Sequence, residues 1–280
     1  MRLFNMTRPT ASVWVGVCLM AIAFACAASP ADAQTAPTPQ SPSPPVSIFE
    51  ERPINWRTIV PDVLHDQRPI WTFPAQLARG EHWEPTLGIA AIFGGLVALD
   101  PHDGPYFRNN NSSFSTFNHR LNSTNTAIGI GLVPVSFYAL GLVRKDSYAT
   151  HTSLLAGESV VDDAILTWVF QNATGRLRPK AIPAGGSYSD TWFKTYHPLL
   201  RADTSFPSAH SIAAFSVATV FARRYGSHRW VPWVAYGAAT LVGFSRITLQ
   251  AHFPSDVFAG AAFGYIISRF VVMPGREPES

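Results

Sequence analysis

The chain has 280 residues, of which 47% are hydrophobic and only 14% are charged. It is long enough to bury a sizeable core, and its hydrophobic content excludes disorder for most of its length. The net charge of +3 is modest, and the basic residues form no stripe interleaved with aromatic side chains. This distribution argues against nucleic acid as a partner.

The first 33 residues are typical of a signal peptide. Arg2 and Arg8 precede a long apolar run, and the sequence Ala-Asp-Ala at 31–33 provides small residues for a cleavage site. An uncleaved membrane anchor is the alternative. Both cysteines lie in this segment, so a cleaved protein would contain no disulfide. We therefore expect export to the periplasmic side, as a membrane-associated or a soluble periplasmic protein.

Composition divides the rest of the chain. Residues 34–47 are rich in Pro, Ser and Thr and are predicted to form an extended linker. Residues 48–84 are a mixed N-terminal extension, in which we expect short helices or loops. The main domain is predicted to cover 85–274, with a short tail at 275–280.

Six apolar segments rich in Ala, Gly, Leu and Val recur in the main domain, without strict alternation of apolar and polar residues. They cover residues 87–99, 126–143, 152–170, 211–222, 231–244 and 257–272. This pattern predicts an all-α bundle of about six core helices. Two long loops, 100–123 and 171–206, are predicted at the end of the bundle where the polar motifs lie.

Three short polar motifs adjoin these apolar segments: GRLRP at 175–179, TSFPSAH at 204–210 and SRITLQAHFPSD at 245–256. The second motif combines residues that start helices, because Thr204 or Ser205 can cap and Pro207 suits a first turn. Free backbone N–H groups around its Ser-Ala pair would then make an anion site.

Together the motifs supply six polar side chains, namely Arg178, Ser208, His210, Arg246, His252 and Asp256. Guanidinium groups bind phosphate oxygens in pairs and stabilise charge in phosphoryl transfer. One histidine can attack phosphorus while a second protonates the leaving oxygen. Asp256, four residues after His252, can hold the other imidazole nitrogen and fix the tautomer. The set therefore favours phosphoryl-transfer chemistry.

These motifs resemble the three-part signature of the type 2 phosphatidic acid phosphatase superfamily, which includes bacterial class A acid phosphatases and vanadium haloperoxidases. The third motif matches in full, and Ala209 stands where many members have glycine. The first motif departs from the pattern, because Gln171 occupies the position of the family's lysine. The resemblance covers roughly residues 160–272 and implies a helical bundle with the active site at helix ends.

The resemblance also implies a role for each residue. His252 attacks phosphorus and forms a phosphohistidine, Asp256 orients His252, and His210 protonates the leaving alcohol and later activates water. The phosphate oxygens are held by Arg178, Arg246, Ser208, the N–H of Ala209 and, more weakly, Gln171. No metal or other cofactor is implied, because the arginines supply the positive charge. Arg176 is a candidate replacement for the missing lysine.

The predicted function is a metal-independent phosphatase acting on a phosphorylated lipid or a small organic phosphate. The alternative on the same scaffold is a vanadium-dependent haloperoxidase, which Gln171 disfavours because the lost charge weakens vanadate binding. A catalytically weak binding protein is a third hypothesis, and it too depends on Gln171.

Membrane association is predicted from one segment and two basic clusters. Only 126–143 approaches the length of a membrane span. The basic stretches at 143–145 and 223–229 fall on the side opposite the three motifs, as expected for a membrane protein with a periplasmic site.

Two other acidic stretches have plainer interpretations. The sequence DPHDGP at 100–105 is predicted to be a capped turn, not a metal site. Asp162 and Asp163 lie in an apolar segment, where either a buried partner or a solvated face is possible.

Overall fold

The computed structural model describes residues 54–195 and 204–274. The predicted signal peptide, the linker at 34–47, the start of the extension and the tail at 275–280 lie outside the described residues. Within the described ranges all regular secondary structure is helical, which confirms the predicted all-α class.

Eight α-helices follow one another along the described residues. They are α1 Ile59–Ala78, α2 Trp83–Asn109, α3 Ser115–Arg120, α4 Ser123–Arg144, α5 Ser147–Thr174, α6 Ala209–Arg224, α7 Trp230–Thr248 and α8 Pro254–Ile266. A π-helical turn, Ile267–Val272, continues α8. Each of the six predicted segments lies within one of the longer helices or this π-helical continuation.

Two predictions of irregular structure are wrong. The extension at 48–84 contains α1, a single helix of 20 residues. Helix α2 continues through Pro101 and Pro105 to Asn109, across the stretch predicted as a capped turn and loop. Proline normally ends a helix, but here the buried side chain of Asp100 joins α2 to the rest of the bundle, and tertiary contacts override local propensity.

Small residues bring the central helices close together. The α6–α7 contact is built from alanines, namely Ala214, Ala218 and Ala222 on α6 and Ala235 and Ala239 on α7. Helix α8 lies still closer to α6, since a Cβ on Gly260 would be 2.8 Å from the carbonyl oxygen of Ser208. A Cβ on Gly264 would be 2.3 Å from the carbonyl oxygen of Ile212. These glycines place the start of α8 beside the start of α6.

The adjacent acids Asp162 and Asp163 are both buried, so the solvated face is excluded. Gln67 of α1 donates to Asp162 Oδ1 at 2.7 Å, and the Ser216 hydroxyl of α6 donates to Asp163. These contacts anchor α1 and α6 to α5.

The bundle has two chemically different ends. Helices α4, α6 and α8 begin at the end that carries the motifs, and α5 and α7 finish there. Arg144 ends α4 and Arg224 ends α6, so the basic clusters lie at the opposite end, as predicted. Because α6 has 16 residues, the two ends are separated by about 24 Å.

Two stretches of the described chain are long and apolar enough to cross a membrane, Asn111–Arg144 and Pro254–Val272. The pair α1 and α2, bent by 99°, would make a third if it acts as one span. The prediction that a single segment approaches span length is therefore wrong, because the π-helical turn lengthens the last helix to 19 residues.

Candidate active site

The basic residues of the three motifs converge at one end of the bundle. Burial holds the pKa of His252 well below its usual range, and the positive charges of Arg178, His210 and Arg246 lower it further. The pKa of His210 is lowered by burial, then by Arg246 and Arg178. Groups that influence one another in this way share one site, in which both imidazoles are held neutral.

Arg246 is buried and bound by neutral acceptors. Its guanidinium donates to Ser123 Oγ at 3.1 Å, to Thr126 Oγ1 at 3.0 Å and to the carbonyl of Leu121. No carboxylate pairs with it among the described residues, so its charge remains available to an anion. Leu121 precedes α4 and the other two lie in its first turn, so these three partners are outside the three motifs, whereas Ser245, which also accepts from Arg246 at 2.8 Å, is within the third.

The same turn also holds His210. Its Nε2 lies 3.0 Å from the carbonyl oxygen of Ser123, whose hydroxyl accepts from Arg246. Ser123 was not among the predicted site residues. The signal was the polar run Asn-Ser-Thr-Asn-Thr before an apolar helix, in which Asn122 caps α4 by accepting from the N–H of Asn125 at 2.9 Å.

The expected hydrogen bond between His252 and Asp256 is not formed. His252 Nδ1 instead lies 2.6 Å from the carbonyl oxygen of Ser205. A carbonyl can only accept, so the proton of the neutral ring sits on Nδ1 and Nε2 keeps its lone pair. The tautomer that the predicted attack requires is therefore present, and the carbonyl of Ser205, not Asp256, fixes it.

Asp256 faces the start of its own helix. Pro254 begins α8 and places Asp256 in the first turn. The carboxylate reaches back to the N–H of Phe253 at 2.8 Å and accepts from Ser205 Oγ at 2.5 Å. This capping geometry turns the carboxylate away from the imidazole four residues earlier.

Arg176 does not replace the missing lysine. Its side chain is only 1% exposed and forms ion pairs of 2.5 Å with Asp100 and with Asp256. The guanidinium lies between the rings of Trp192 and Phe253, each 4.2 Å away. With its charge matched by two carboxylates, Arg176 organises the protein and has no surplus charge for a phosphate.

The N-cap in the second motif lies four residues after Thr204 and three after Ser205, the two predicted candidates. Ser208 is the N-cap of α6, and its hydroxyl is 2.9 Å from that of Ser211. The N–H of Ser208 donates to the carbonyl of Asp256 at 3.2 Å, so it is not free for an anion as predicted. The N–H of Ala209, the first residue of α6, has no hydrogen bond to the described residues and stays a candidate phosphate donor.

Gln171 is buried near the end of α5, and its amide nitrogen already donates a hydrogen bond. Nε2 donates to the carbonyl of Pro207 at 3.2 Å, while Oε1 has no hydrogen-bond partner among the described residues. In this arrangement Gln171 offers the predicted phosphate site no charge, and one of its two amide N–H donors is already used.

A cleft opens beside His252, between α2 and the start of α8. Phe107, Ile247 and Phe253 give it apolar walls, and Asp103 and Gln250 add polar groups. In the described part of the chain, no three His, Cys, Asp or Glu side chains are grouped to hold a metal ion.

Known proteins resemble the part of the chain that contains the three motifs. The PAP2 superfamily profile matches residues 148–274. Lipid A 1-phosphatase from Rhizobium etli is 36% identical over 128 residues, which is 45% of this chain and 52% of that protein. Lipid A 1-phosphatase from Porphyromonas gingivalis is 40% identical over 83 residues, 29% of this chain and 18% of that protein. The matches thus span about half or less of these relatives.

Among solved structures, a transmembrane PAP2-type phosphatidylglycerolphosphate phosphatase from Bacillus subtilis is 20% identical, with a TM-score of 0.42. The aligned part covers 66% of this chain and 92% of that one. The family match extends over all three motifs, whose basic residues the fold brings together. The segment 148–274 of this chain is therefore similar to the PAP2 superfamily.

Proposed function

We propose that the protein is a PAP2-type phosphatase that hydrolyses a phosphate monoester or diphosphate of a lipid. The observation that carries the proposal is a buried, neutral His252 beside Arg246, a cation that no described carboxylate neutralises. A nucleophile with a free lone pair and uncompensated positive charge are the two requirements of phosphoryl transfer through a histidine.

In the proposed reaction Nε2 of His252 attacks phosphorus and the bond to the leaving oxygen breaks. His210, which takes up a proton when the phosphate anion binds beside it, donates that proton to the leaving oxygen, so an alcohol leaves and a phosphohistidine remains. His210 then takes a proton from water as the water attacks phosphorus, which releases inorganic phosphate and restores His252. Arg178 and Arg246 stabilise the charge on the phosphate oxygens, and no step requires a metal.

The substrate class is inferred from the relatives. Two relatives are lipid A 1-phosphatases, whose names specify a phosphorylated lipid. Lipid A 1-phosphate and simpler lipid phosphates are therefore the first substrates to test.

We further propose that the bundle lies in a membrane with its motif end on the periplasmic side. Candidate spans and exposed tryptophans support insertion in a membrane. The basic residues at the opposite end support the orientation. The exposed tryptophans include Trp56, Trp71, Trp83, Trp230 and Trp233. An alkaline carbonate wash of isolated membranes tests the proposal, and release of the protein by the wash would contradict an integral form.

Phosphate release by the protein in detergent, with a chelator present, tests the activity. His252→Ala should abolish turnover, whereas His228→Ala, which changes an exposed histidine at the opposite end, should not. Phosphate release that persists in His252→Ala would overturn the proposed nucleophile. Halide oxidation with vanadate and peroxide, in the absence of phosphatase activity, would favour the haloperoxidase instead.

A further inference from the structure

We propose that Asp100 of α2 is a positioning residue that sets the orientation of His252 through Arg176, Asp256 and Ser205. This inference depends on the proposed function for its kinetic consequences. Asp100 lies 48 residues before the first residue of the family match at 148, and none of the three motifs contains it.

The first link is a buried ion pair between α2 and the first motif. Asp100 is 0% exposed, and its Oδ2 lies 2.5 Å from Arg176 Nη2. The same oxygen accepts from the hydroxyl of Ser255 at 2.6 Å. A carboxylate removed from water in this way is held by both partners, so its position determines theirs.

The second link runs through the guanidinium of Arg176. Nη1 donates to Asp256 Oδ1 at 2.5 Å and to Ser255 Oγ at 2.7 Å. Nε donates to Thr191 Oγ1 at 3.2 Å. The planar group is thus fixed along three directions, and a change on the side of Asp100 rotates the donors that face Asp256.

The third link reaches the nucleophile through Ser205. Its hydroxyl donates to Asp256 Oδ2 at 2.5 Å, and its N–H donates to the carbonyl of Arg176 at 2.7 Å. Its own carbonyl accepts from His252 Nδ1 at 2.6 Å. Ser205 is therefore tied to both ends of the ion-pair network and in turn fixes the imidazole ring.

These contacts give Asp100 a role that burial alone would not. Through these contacts, loss of the Asp100 charge moves Ser205 and tilts the imidazole ring of His252. A displacement of about 1 Å at a reacting group can cost roughly 100-fold in rate. Ground-state binding of the phosphate depends on other residues, so KM should change little.

The experiment compares Asp100→Asn with Asp163→Asn, a matched variant that neutralises a buried carboxylate on α5, with Ser216 as its partner. We expect both variants to unfold at lower temperature. Only Asp100→Asn should reduce kcat, by about 100-fold with KM within about twofold. Equal kcat in the two variants, measured on folded protein, would overturn the inference.

A double-mutant cycle tests the path itself. Ser205→Ala removes the hydroxyl link to Asp256 but keeps the carbonyl that binds His252. If Asp100 acts through Ser205, the double variant should lose about as much kcat as the more affected single variant. Additive losses would show that Asp100 acts by another route, and would contradict the proposed path.

Two measurements keep the inference testable apart from the activity. If Asp100→Asn does not fold, Ser255→Ala retains both carboxylates and should lower kcat in the same direction by a smaller factor. The ring proton on Nδ1 of His252, assigned in ¹⁵N-histidine NMR spectra by its loss in His252→Gln, should shift in Asp100→Asn but not in Asp163→Asn. If the resonance of this proton does not shift in Asp100→Asn, the inference is overturned, whether or not the wild-type protein releases phosphate. If the wild-type protein releases no phosphate, only the proposed function is overturned.

Discussion

Two buried arginines, Arg246 and Arg176, have opposite surroundings. Arg246 is held by two hydroxyls of the first turn of α4 and by the carbonyl of Leu121, with no carboxylate partner among the described residues. Arg176 is held by the carboxylates of Asp100 and Asp256 and lies between two aromatic rings. Both are almost fully inaccessible to solvent.

The positive charge of Arg246 remains available to a ligand, whereas that of Arg176 stabilises the fold. A buried cation with neutral partners keeps its field, which is useful where an anion must bind. A buried cation paired with carboxylates has its field cancelled locally and contributes geometry. The residue type alone does not distinguish these roles, since Arg176 and Arg178 belong to the same short motif.

The largest effect should come from Arg176→Met. The change leaves Asp100 and Asp256 buried without their common cation, and removing one partner of a buried ion pair costs about 3–5 kcal/mol. The free energy of unfolding, measured by chemical denaturation in detergent, should fall by that amount. A variant as stable as wild type would show that the carboxylates are neutralised in another way.

Arg246→Met should have the reverse profile. Loss of a positive group that stabilises transition-state charge is expected to reduce kcat/KM by roughly 10²–10³-fold. Its stability loss should be smaller than that of Arg176→Met, because no carboxylate is left unpaired. Phosphate release and denaturation of the two variants, measured side by side, check this contrast, and identical profiles would remove the distinction.

Gln171→Lys should add a positive charge at the position of the family's lysine and so strengthen anion binding. A charge-assisted hydrogen bond to a phosphate oxygen is about twice as strong as a neutral one. We expect vanadate or phosphate to bind about tenfold more tightly, equivalent to about 1.4 kcal/mol. Gln171→Met, of similar length without charge, is the control. Unchanged affinity in the lysine variant would mean that this position does not reach the anion.

The smallest predicted effect is a dependence of stability on pH. The folded protein lowers the pKa of both His252 and His210, whereas in the unfolded chain histidines titrate near about 6.5. The unfolded state therefore binds more protons as the pH falls below about 6.5, and the melting temperature should fall with it. His252→Gln should weaken this dependence.

Bound phosphate should counteract the same loss. An anion beside the imidazoles favours their charged forms, so phosphate should raise the melting temperature more at pH 5.5 than at pH 7.5. Thermal unfolding with and without phosphate at both values checks this. A stabilisation that is equal at both values would indicate that phosphate binds away from the histidines.

The sequence allowed the helical class, the six apolar segments and the three motifs to be predicted, because hydrophobic runs and motif spacing are local properties. The partners of the motif residues could not be predicted. Ser205 was interpreted as a possible cap, but its carbonyl binds His252 and its hydroxyl binds Asp256. Asp100 was assigned to a turn because local proline rules cannot include an ion pair formed with Arg176, 76 residues away.

The candidate site depends on residues outside the family match, at the start of α4 and in α2. The segment 148–274 that matches the family contains the motifs, yet the acceptors for Arg246 and one counterion of Arg176 come from earlier in the chain. The segment that matches the family is therefore smaller than the part of the chain that is needed to form the candidate site. A truncated gene that begins at the family boundary would encode every motif residue but not the scaffold that gives two arginines their different functions.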